Sequence, residues 1–569
     1  MNESNRAVIR AEVRKQATGP GGLCELVREP VLGCELEVFK TRKRSLRELL
    51  AASGDREGVE YLVDHERRIT YPEHVRLVAS VAAALRDEYD VQKGDRVAIL
   101  AANCAAWPIA FWATVSLGGV VAALNGWWTA DEIEYGLSDS APKLLIGDRK
   151  RLARLEGTGI DVPTLEIESG FAALENFAVD ASLPDVELAE DDPATILYTS
   201  GTTGRPKGAV GSHRGLIGFA DGARASATLK FLIELAEQGD DAPAAAERPQ
   251  TVSLAAAPMF HLSGLYGSIV LQLVFAGKLV IRSGRFDAGE ILALMERERI
   301  TQFTALGAMG HRVSSHPDLL TRDLSSVTNV GFGGAPASPA LQEKMRKAFP
   351  TAGQNLGIGY GSSETVAIVA SFNGKDYHEH PEATGYIALG QEVEIRDEDG
   401  IVLPRGQQGK IFVRSAWAML EYWRNPEATA KTIGPDRFLD TGDIGRVDED
   451  GLVYINSRAR DMILRNAENV YPVEIEYRLD KHALVRESAV YGVEHEEWGQ
   501  AVHAVVVPEE GPAPSPAALA AWCAETLAPY KVPTSWQVRP EPLPRNPAGK
   551  VLKNVLRGGA ANVLTEDEV

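Results

Sequence analysis

Cysteine is scarce in this chain of 569 residues: Cys24, Cys34, Cys104 and Cys523 are the only four, and no C-x-x-C pair occurs. That excludes a disulfide framework and a thiolate zinc site, and reduced thiols are expected. Long apolar runs are also missing, since no uncharged, continuously apolar run reaches the roughly 18 residues of a membrane-spanning helix. Met1 to Gln16 is polar and charged and lacks the apolar centre of a signal peptide, and Asp567-Glu568-Val569 is not a peroxisomal address. Positive charge is in deficit: 59 Lys+Arg against 79 Asp+Glu give a formal charge of −20. This disfavours a nucleic-acid backbone or an anionic membrane as the main partner. A soluble cytoplasmic protein without a transmembrane segment is expected.

The rest of the composition is ordinary: 44% hydrophobic and 24% charged residues, which excludes a mostly disordered chain. At about 150 residues per domain, roughly three to four compact units are expected. Residues 1 to about 44 carry alternating charge and little period, and read as a leader wrapped on the surface. From Ser45 helical and strand signals alternate. Pro72 to Tyr89 has apolar residues at helical spacing, Arg96 to Leu100 reads as a buried strand, and Ala105 to Leu117 as a helix. Val120 to Leu124 and Lys143 to Ile146 are further strands. Strands separated by helices imply parallel α/β layers, and the pattern recurs from Thr251 to Phe349.

After about Gly385 short strands predominate, at Val393–Arg396, Ile401–Leu403, Lys410–Arg414 and Gly451–Asn456, and suggest a small β-rich unit. A compact last segment follows, with helices at Val473–His482 and Pro516–Ala524 and strands at Ala489–Tyr491 and Ala504–Val507. The Pro-rich stretch 511–516 has regular elements on both sides and reads as a loop inside that last domain. No internal repeats occur.

The strongest local signal is Thr199-Ser200-Gly201-Thr202-Thr203-Gly204-Arg205-Pro206-Lys207-Gly208, entered from the apolar strand Thr195–Tyr198. Glycines let several backbone N–H groups point at one anion, hydroxyls add donors, and Lys207 supplies a point charge. It is not a Walker loop, because Pro206 precedes the lysine and Gly208 follows it. A phosphorylated ligand is expected here.

This run resembles the signature of the adenylate-forming enzymes, which include acyl-CoA synthetases, luciferases and peptide-synthetase adenylation domains. With this run, six motifs lie in the family's order between about residues 45 and 557. The implied fold is α/β: a large N-terminal domain of two α/β layered subdomains plus a small β-rich subdomain, then a small mobile α+β C-terminal domain. Expected boundaries are 1–457, with 386–457 β-rich, a hinge at 458–461, and 462–569. The implied activity is an AMP-forming fatty-acid or other carboxylic-acid:CoA ligase using ATP, Mg²⁺ and coenzyme A.

Residue by residue, the resemblance implies nucleotide contacts from Thr199, Ser200, Gly201, Thr202, Thr203, Gly204 and Lys207. Gly333-Gly334-Ala335-Pro336 matches the adenine-binding turn, where a backbone stripped of side chains lets a flat ring approach; a plain strand-to-helix turn explains the same run. Tyr360-Gly361-Ser362-Ser363-Glu364 matches Tyr-Gly-x-Thr-Glu, with Tyr360 on adenine, Ser363 in place of the usual Thr, and Glu364 together with Thr199 as Mg²⁺ ligands. Asp443 and Arg458 would hold the ribose hydroxyls. Lys550, in Pro544-x4-Gly549-Lys550, would be the mobile cation between carboxylate and α-phosphate. His261 would touch the substrate carboxylate or gate the acyl tunnel, although an isolated His there would more often simply end a buried strand.

Two departures stand out. Arg460 occupies a hinge position that is usually Lys or Asp in the family. Arg465-Asn466-Ala467-Glu468-Asn469 replaces the Arg-Gly-Gly-Glu-Asn common near pantetheine, which bears on coenzyme A as acceptor. The small residues of Phe303–Gly310 and Ser263–Gly267 suggest a bulky apolar acid, fatty, aryl or polycyclic, or else close backbone packing. Alternatives are an acyl-AMP ligase loading a carrier-protein thiol, or a nucleotide-binding module without catalysis. The expected partners are a small-molecule acid and coenzyme A; monomer and homodimer both stay open.

Overall fold

The run expected as a strand at 96–100 forms Arg96–Leu100, buried from Val97 to Leu100, as strands covered on both faces are. The computed structural model describes residues 3–199, 205–238, 249–284, 286–306, 309–333, 337–458, 461–465, 468–495, 498–546 and 549–558. Among these, Arg96–Leu100 lies in a six-stranded sheet whose order is 207–212, 193–199, 120–123, 96–100, 144–147, 164–166. Its pairings are parallel except for the edge strand Lys207–Ser212, which runs antiparallel to Pro193–Thr199.

A thirteen-stranded sheet stands beside it. Its central strands 356–360, 329–333, 302–306, 252–255, 278–281 and 60–64 are mutually parallel. Antiparallel strands extend it on one side through 370–373, 385–387, 452–458, 439–447, 409–414 and 392–396. The β-rich stretch after Gly385 therefore continues this sheet by hydrogen bonding. One hydrophobic core serves both sheets, joining Ile99, Val121 and Ile146 of the first to Leu62, Leu279 and Ile281 of the second. The helix Ala106–Ser116 is buried on every side within that core, as a helix apolar all round must be.

From Ile463 onward a five-stranded sheet forms from 468–470, 463–465, 499–508, 485–495 and 535–538. Two cores belong to this part alone, one around Ile463, Leu479, Val490 and Leu519 and one around Tyr491, Val505 and Leu543. Mixed α/β architecture, with a large N-terminal part and a small C-terminal one, is what the motif order implied.

Two details differ from the sequence reading. The leader is built in: it forms the helix Glu3–Thr18 and the hairpin Leu26–Val31/Cys34–Phe39, with Val31, Leu36, Val38 and Phe39 buried in the shared core. Its helix is held by ion pairs, Arg6 to Glu237 and Arg10 to Asp376, which no local apolar period would reveal. Ile401–Leu403 is not a strand: Val402 makes only an isolated bridge to Arg396, inside a turn organised by Asp397.

Candidate active site

Three parallel strands, Gln302–Leu306, Asn329–Gly333 and Leu356–Tyr360, end side by side, with Leu306 opposite Gly333 and Phe332 opposite Ile358. Ligands of open α/β sheets bind beyond the carboxyl ends of such strands. A cleft of about 740 Å³ opens there, walled by Ala305, Phe332, Gly333, Gly359, Tyr360 and Gly361. The C-terminal part faces it with Asp461, Glu476, Asp480, Glu487, Arg545 and Lys550. Lys550 sits in a tight turn: its N–H donates to Asn546 Oδ1 at 2.8 Å, and the Asn546 N–H donates to the Lys550 carbonyl at 2.9 Å. Gly333, Tyr360, Gly361, Asp443 and Lys550 thus surround one space. Gly334, Ala335 and Pro336 lie outside the described residues.

Asp443 and Arg458, fifteen positions apart in sequence, are direct cross-strand partners on Leu439–Val447 and Leu452–Arg458. The Tyr360 hydroxyl donates to Asp443 Oδ2 at 2.7 Å, so the residues expected at base and sugar are already linked. The turn after Tyr360 is closed by Thr365, to which the motif reading gave no role. The Ser362 N–H donates to Thr365 Oγ1 at 2.8 Å, and the Thr365 N–H donates to Ser362 Oγ at 3.2 Å. This turn sets Ser362, Ser363 and Glu364, all half-buried.

The strands flanking the hydroxyl-rich run pair antiparallel. Thr199 pairs with Lys207 and Tyr198 with Gly208, while Ser200, Gly201, Thr202, Thr203 and Gly204 lie outside the described residues. The second strand is clamped where it begins: the Tyr135 hydroxyl donates to the Pro206 carbonyl at 3.0 Å and the Trp423 N–H donates to the Gly208 carbonyl at 2.7 Å. Lys207 Nζ lies 4.9 Å from the Tyr422 ring centroid, and the Tyr422 hydroxyl donates to Glu364 Oε1 at 2.9 Å. Glu364, Lys207 and Thr199 are therefore neighbours through Tyr422 and the register of those strands. Their donors, a carboxylate and a hydroxyl, suit a hard cation held by one or two protein oxygens plus phosphates. Among the described residues no cluster of three or more His, Cys, Asp or Glu could hold a metal.

Residues 47–423 match the AMP-binding enzyme family, and residues 474–550 match the AMP-binding enzyme C-terminal domain. The chain belongs to the AMP-binding enzyme family. A feruloyl-CoA synthase from Amycolatopsis sp is 32% identical over 493 residues, covering 86% of this chain and 93% of that one. A long-chain-fatty-acid–CoA ligase from Mycobacterium tuberculosis is 30% identical over 497 residues, covering 86% and 93%. Among solved structures, the amide bond synthetase McbA from Marinactinospora thermotolerans superposes with a TM-score of 0.77 at 28% identity, covering 90% and 99%. No helix among the described residues of this AMP-binding enzyme is long and apolar enough to cross a membrane.

Other expected residues fall elsewhere in the AMP-binding fold. His261 caps the short helix Leu262–Gly264 and lies 3.1 Å from Ser263 Oγ through Nδ1. Burial lowers its pKa to about 4, so the ring is neutral at pH 7. It does not line the 740 Å³ cleft. The small residues nearby divide into two groups. A Cβ at Gly264 would meet the Pro258 carbonyl oxygen at 2.0 Å, and one at Gly310 would meet Ala305 and Leu341 at 3.3 Å, so these two serve packing. At Gly267 nothing lies within 4 Å. Gly307 and Ala308 are outside the described residues, as is Arg460. Asn466 and Ala467 are also outside; on either side of them Ile463–Arg465 pairs with Glu468–Val470. Arg465 is buried, donates to the Tyr530 carbonyl at 2.7 Å and lies over the Trp498 ring.

Proposed function

We propose that this AMP-binding enzyme is an ATP-dependent, AMP-forming acid:CoA ligase. A carboxylate oxygen bonds to the α-phosphorus of ATP, the bond to the β-phosphate breaks and pyrophosphate leaves. The sulfur of coenzyme A then attacks the acyl carbon and AMP leaves. The reading is carried by the meeting of Tyr360, Asp443 and Lys550 around one cleft at the carboxyl ends of parallel strands.

In this scheme Tyr360 stacks on adenine, beside the turn Gly333–Pro336, and Asp443 with Arg458 accepts and donates to the ribose hydroxyls. The turn 199–204 and Lys207 hold the terminal phosphates. Glu364 and Thr199 would hold Mg²⁺, which when bound would supply charge neutralisation there. Lys550 offsets the repulsion between carboxylate and α-phosphate, and a preorganised electrostatic group of this kind is worth roughly 10²–10³ in rate. Neutral His261 orients the acid. The domains are 1–457 and 462–569, and a hinge at 458–461 lets the second turn between the two half-reactions. The substrate is a bulky apolar acid, fatty, aryl or polycyclic, for which the open space at Gly267 gives support. The enzyme works in the cytoplasm. A second acceptor, a carrier-protein thiol, is favoured by one feature, the side chains of Asn466 and Ala467 in place of glycines.

The test is a panel of carboxylic acids assayed for pyrophosphate and AMP release with and without coenzyme A. Bulky apolar acids should turn over fastest and AMP release should rise with coenzyme A; preference for acetate would overturn the pocket reading. Replacing Lys550 with Ala should cut carboxylate-dependent exchange of labelled pyrophosphate into ATP by about 10²-fold or more and leave ATP binding nearly intact. Unchanged exchange would remove Lys550 from the chemistry.

A further inference from the structure

Tyr422 touches two groups that the scheme above assigns to the phosphate end of ATP, although it lies 58 positions from Glu364 and still farther from Lys207. Its hydroxyl donates to Glu364 Oε1 at 2.9 Å and its ring face lies 4.9 Å from Lys207 Nζ. The side chain has little freedom to do otherwise, because Tyr422 is only 6% exposed. Its backbone N–H donates to Thr429 Oγ1 at 2.9 Å, and residues 420–423 are stitched along the strand Lys207–Ser212. The Leu420 N–H donates to the Val210 carbonyl, the Val210 N–H to the Glu421 carbonyl and the Trp423 N–H to the Gly208 carbonyl. On the other side, the Met419 N–H donates to the Glu364 carbonyl at 2.9 Å.

A carboxylate offers about four lone-pair directions. The phenol occupies one of them through a charge-assisted bond, which fixes the carboxylate plane and leaves the other oxygen for a cation. Outer partners that orient a metal-binding side chain commonly change metal affinity by about 10–100-fold. The same aromatic face attracts an ammonium group. Among the described residues Lys207 and Glu364 form no hydrogen bond or ion pair with each other, and the tyrosine stands in contact with both. We infer that Tyr422 is a positioning residue for acid activation. Its hydroxyl sets Glu364 for the divalent cation, and its ring holds Lys207 beside the phosphate turn instead of letting it neutralise that carboxylate. The inference rests on the placement of ATP phosphates at Glu364 and Lys207.

The experiment uses the full-length enzyme with Mn²⁺ as the probe, titrated into the enzyme–ATP mixture and read by electron paramagnetic resonance. Tyr422→Phe should weaken Mn²⁺ binding by about 10–100-fold, leave ATP affinity without a divalent ion within about twofold, and recover its kcat at high Mg²⁺. Tyr422→Leu, which also removes the ring, should in addition weaken ATP binding. In a Glu364→Gln background the Phe change should cost nothing further, because coupled residues are not additive. Wild-type Mn²⁺ affinity in Tyr422→Phe beside a clear defect in Glu364→Gln would overturn the proposal alone. An equal loss from the Phe change in both backgrounds would also overturn it, as a purely structural effect. Equal Mn²⁺ affinity in wild type and Glu364→Gln would overturn the cation assignment and the proposal with it.

Discussion

His74, on the helix Tyr71–Asp87, is fully buried, its ring 4.5 Å from that of Tyr61, and neither ring nitrogen has a hydrogen-bond partner among the described residues. Burial lowers its pKa from 6.5 to about 3. The unfolded chain takes up a proton near pH 6.5 while the folded one refuses it, so between these values the unfolded state binds more protons and stability rises with pH. The contribution is complete above about pH 6.5 and is lost as pH falls toward about 3. Between pH 7 and 5 it amounts to about 2 kcal/mol. His74→Leu should flatten the fall in thermal stability over that interval. An unchanged slope would show that His74 is not the group responsible. His213 and His261 are shifted the same way by burial, each to about 4, so part of the acid sensitivity should survive the change. At this scale the motif residues could be read from sequence because their types state their chemistry. Tyr422 and Thr365 could not, since their meaning lies in contacts made with partners on other segments.

Secondary elements divide along the same line. Arg96–Leu100 and Pro516–Ala524 occur where the pattern put them, because a continuous apolar run and a Ser-Pro start are local signals. The leader helix and hairpin were unreadable: Arg14 donates to the Ile387 carbonyl and Arg10 lies over Tyr386, so distant residues supply the partners. Phe39 of the leader hairpin stacks on Trp417 at 5.4 Å with the rings nearly parallel. Trp417 is buried and two positions before Met419, whose N–H holds the Glu364 carbonyl. The leader thus supports the segment that carries Tyr422. Phe39→Ala should destabilise the N-terminal domain by about 3–5 kcal/mol and lower its denaturation midpoint. A midpoint within error of the parent would mean the leader is not part of the folded core.

Among the described residues, the C-terminal part is tied to the N-terminal part by few charged contacts: Lys344 pairs with Glu509, and Lys481 lies 3.8 Å from Glu382. Both pairs are partly exposed, and such pairs are worth about 0–1 kcal/mol. Under the proposed scheme the C-terminal part holds Lys550 at the cleft for one half-reaction and releases it for the next, which calls for contacts weak enough to break. Lys344→Glu should therefore lower pyrophosphate exchange by up to about fivefold, the rate equivalent of about 1 kcal/mol. It should leave transfer from preformed acyl-adenylate to coenzyme A undiminished. Adding Glu509→Lys restores an opposite-charge pair and should restore exchange. If the double variant exchanges no faster than Lys344→Glu alone, the pair does not hold the adenylating arrangement and carries no bias toward either half-reaction.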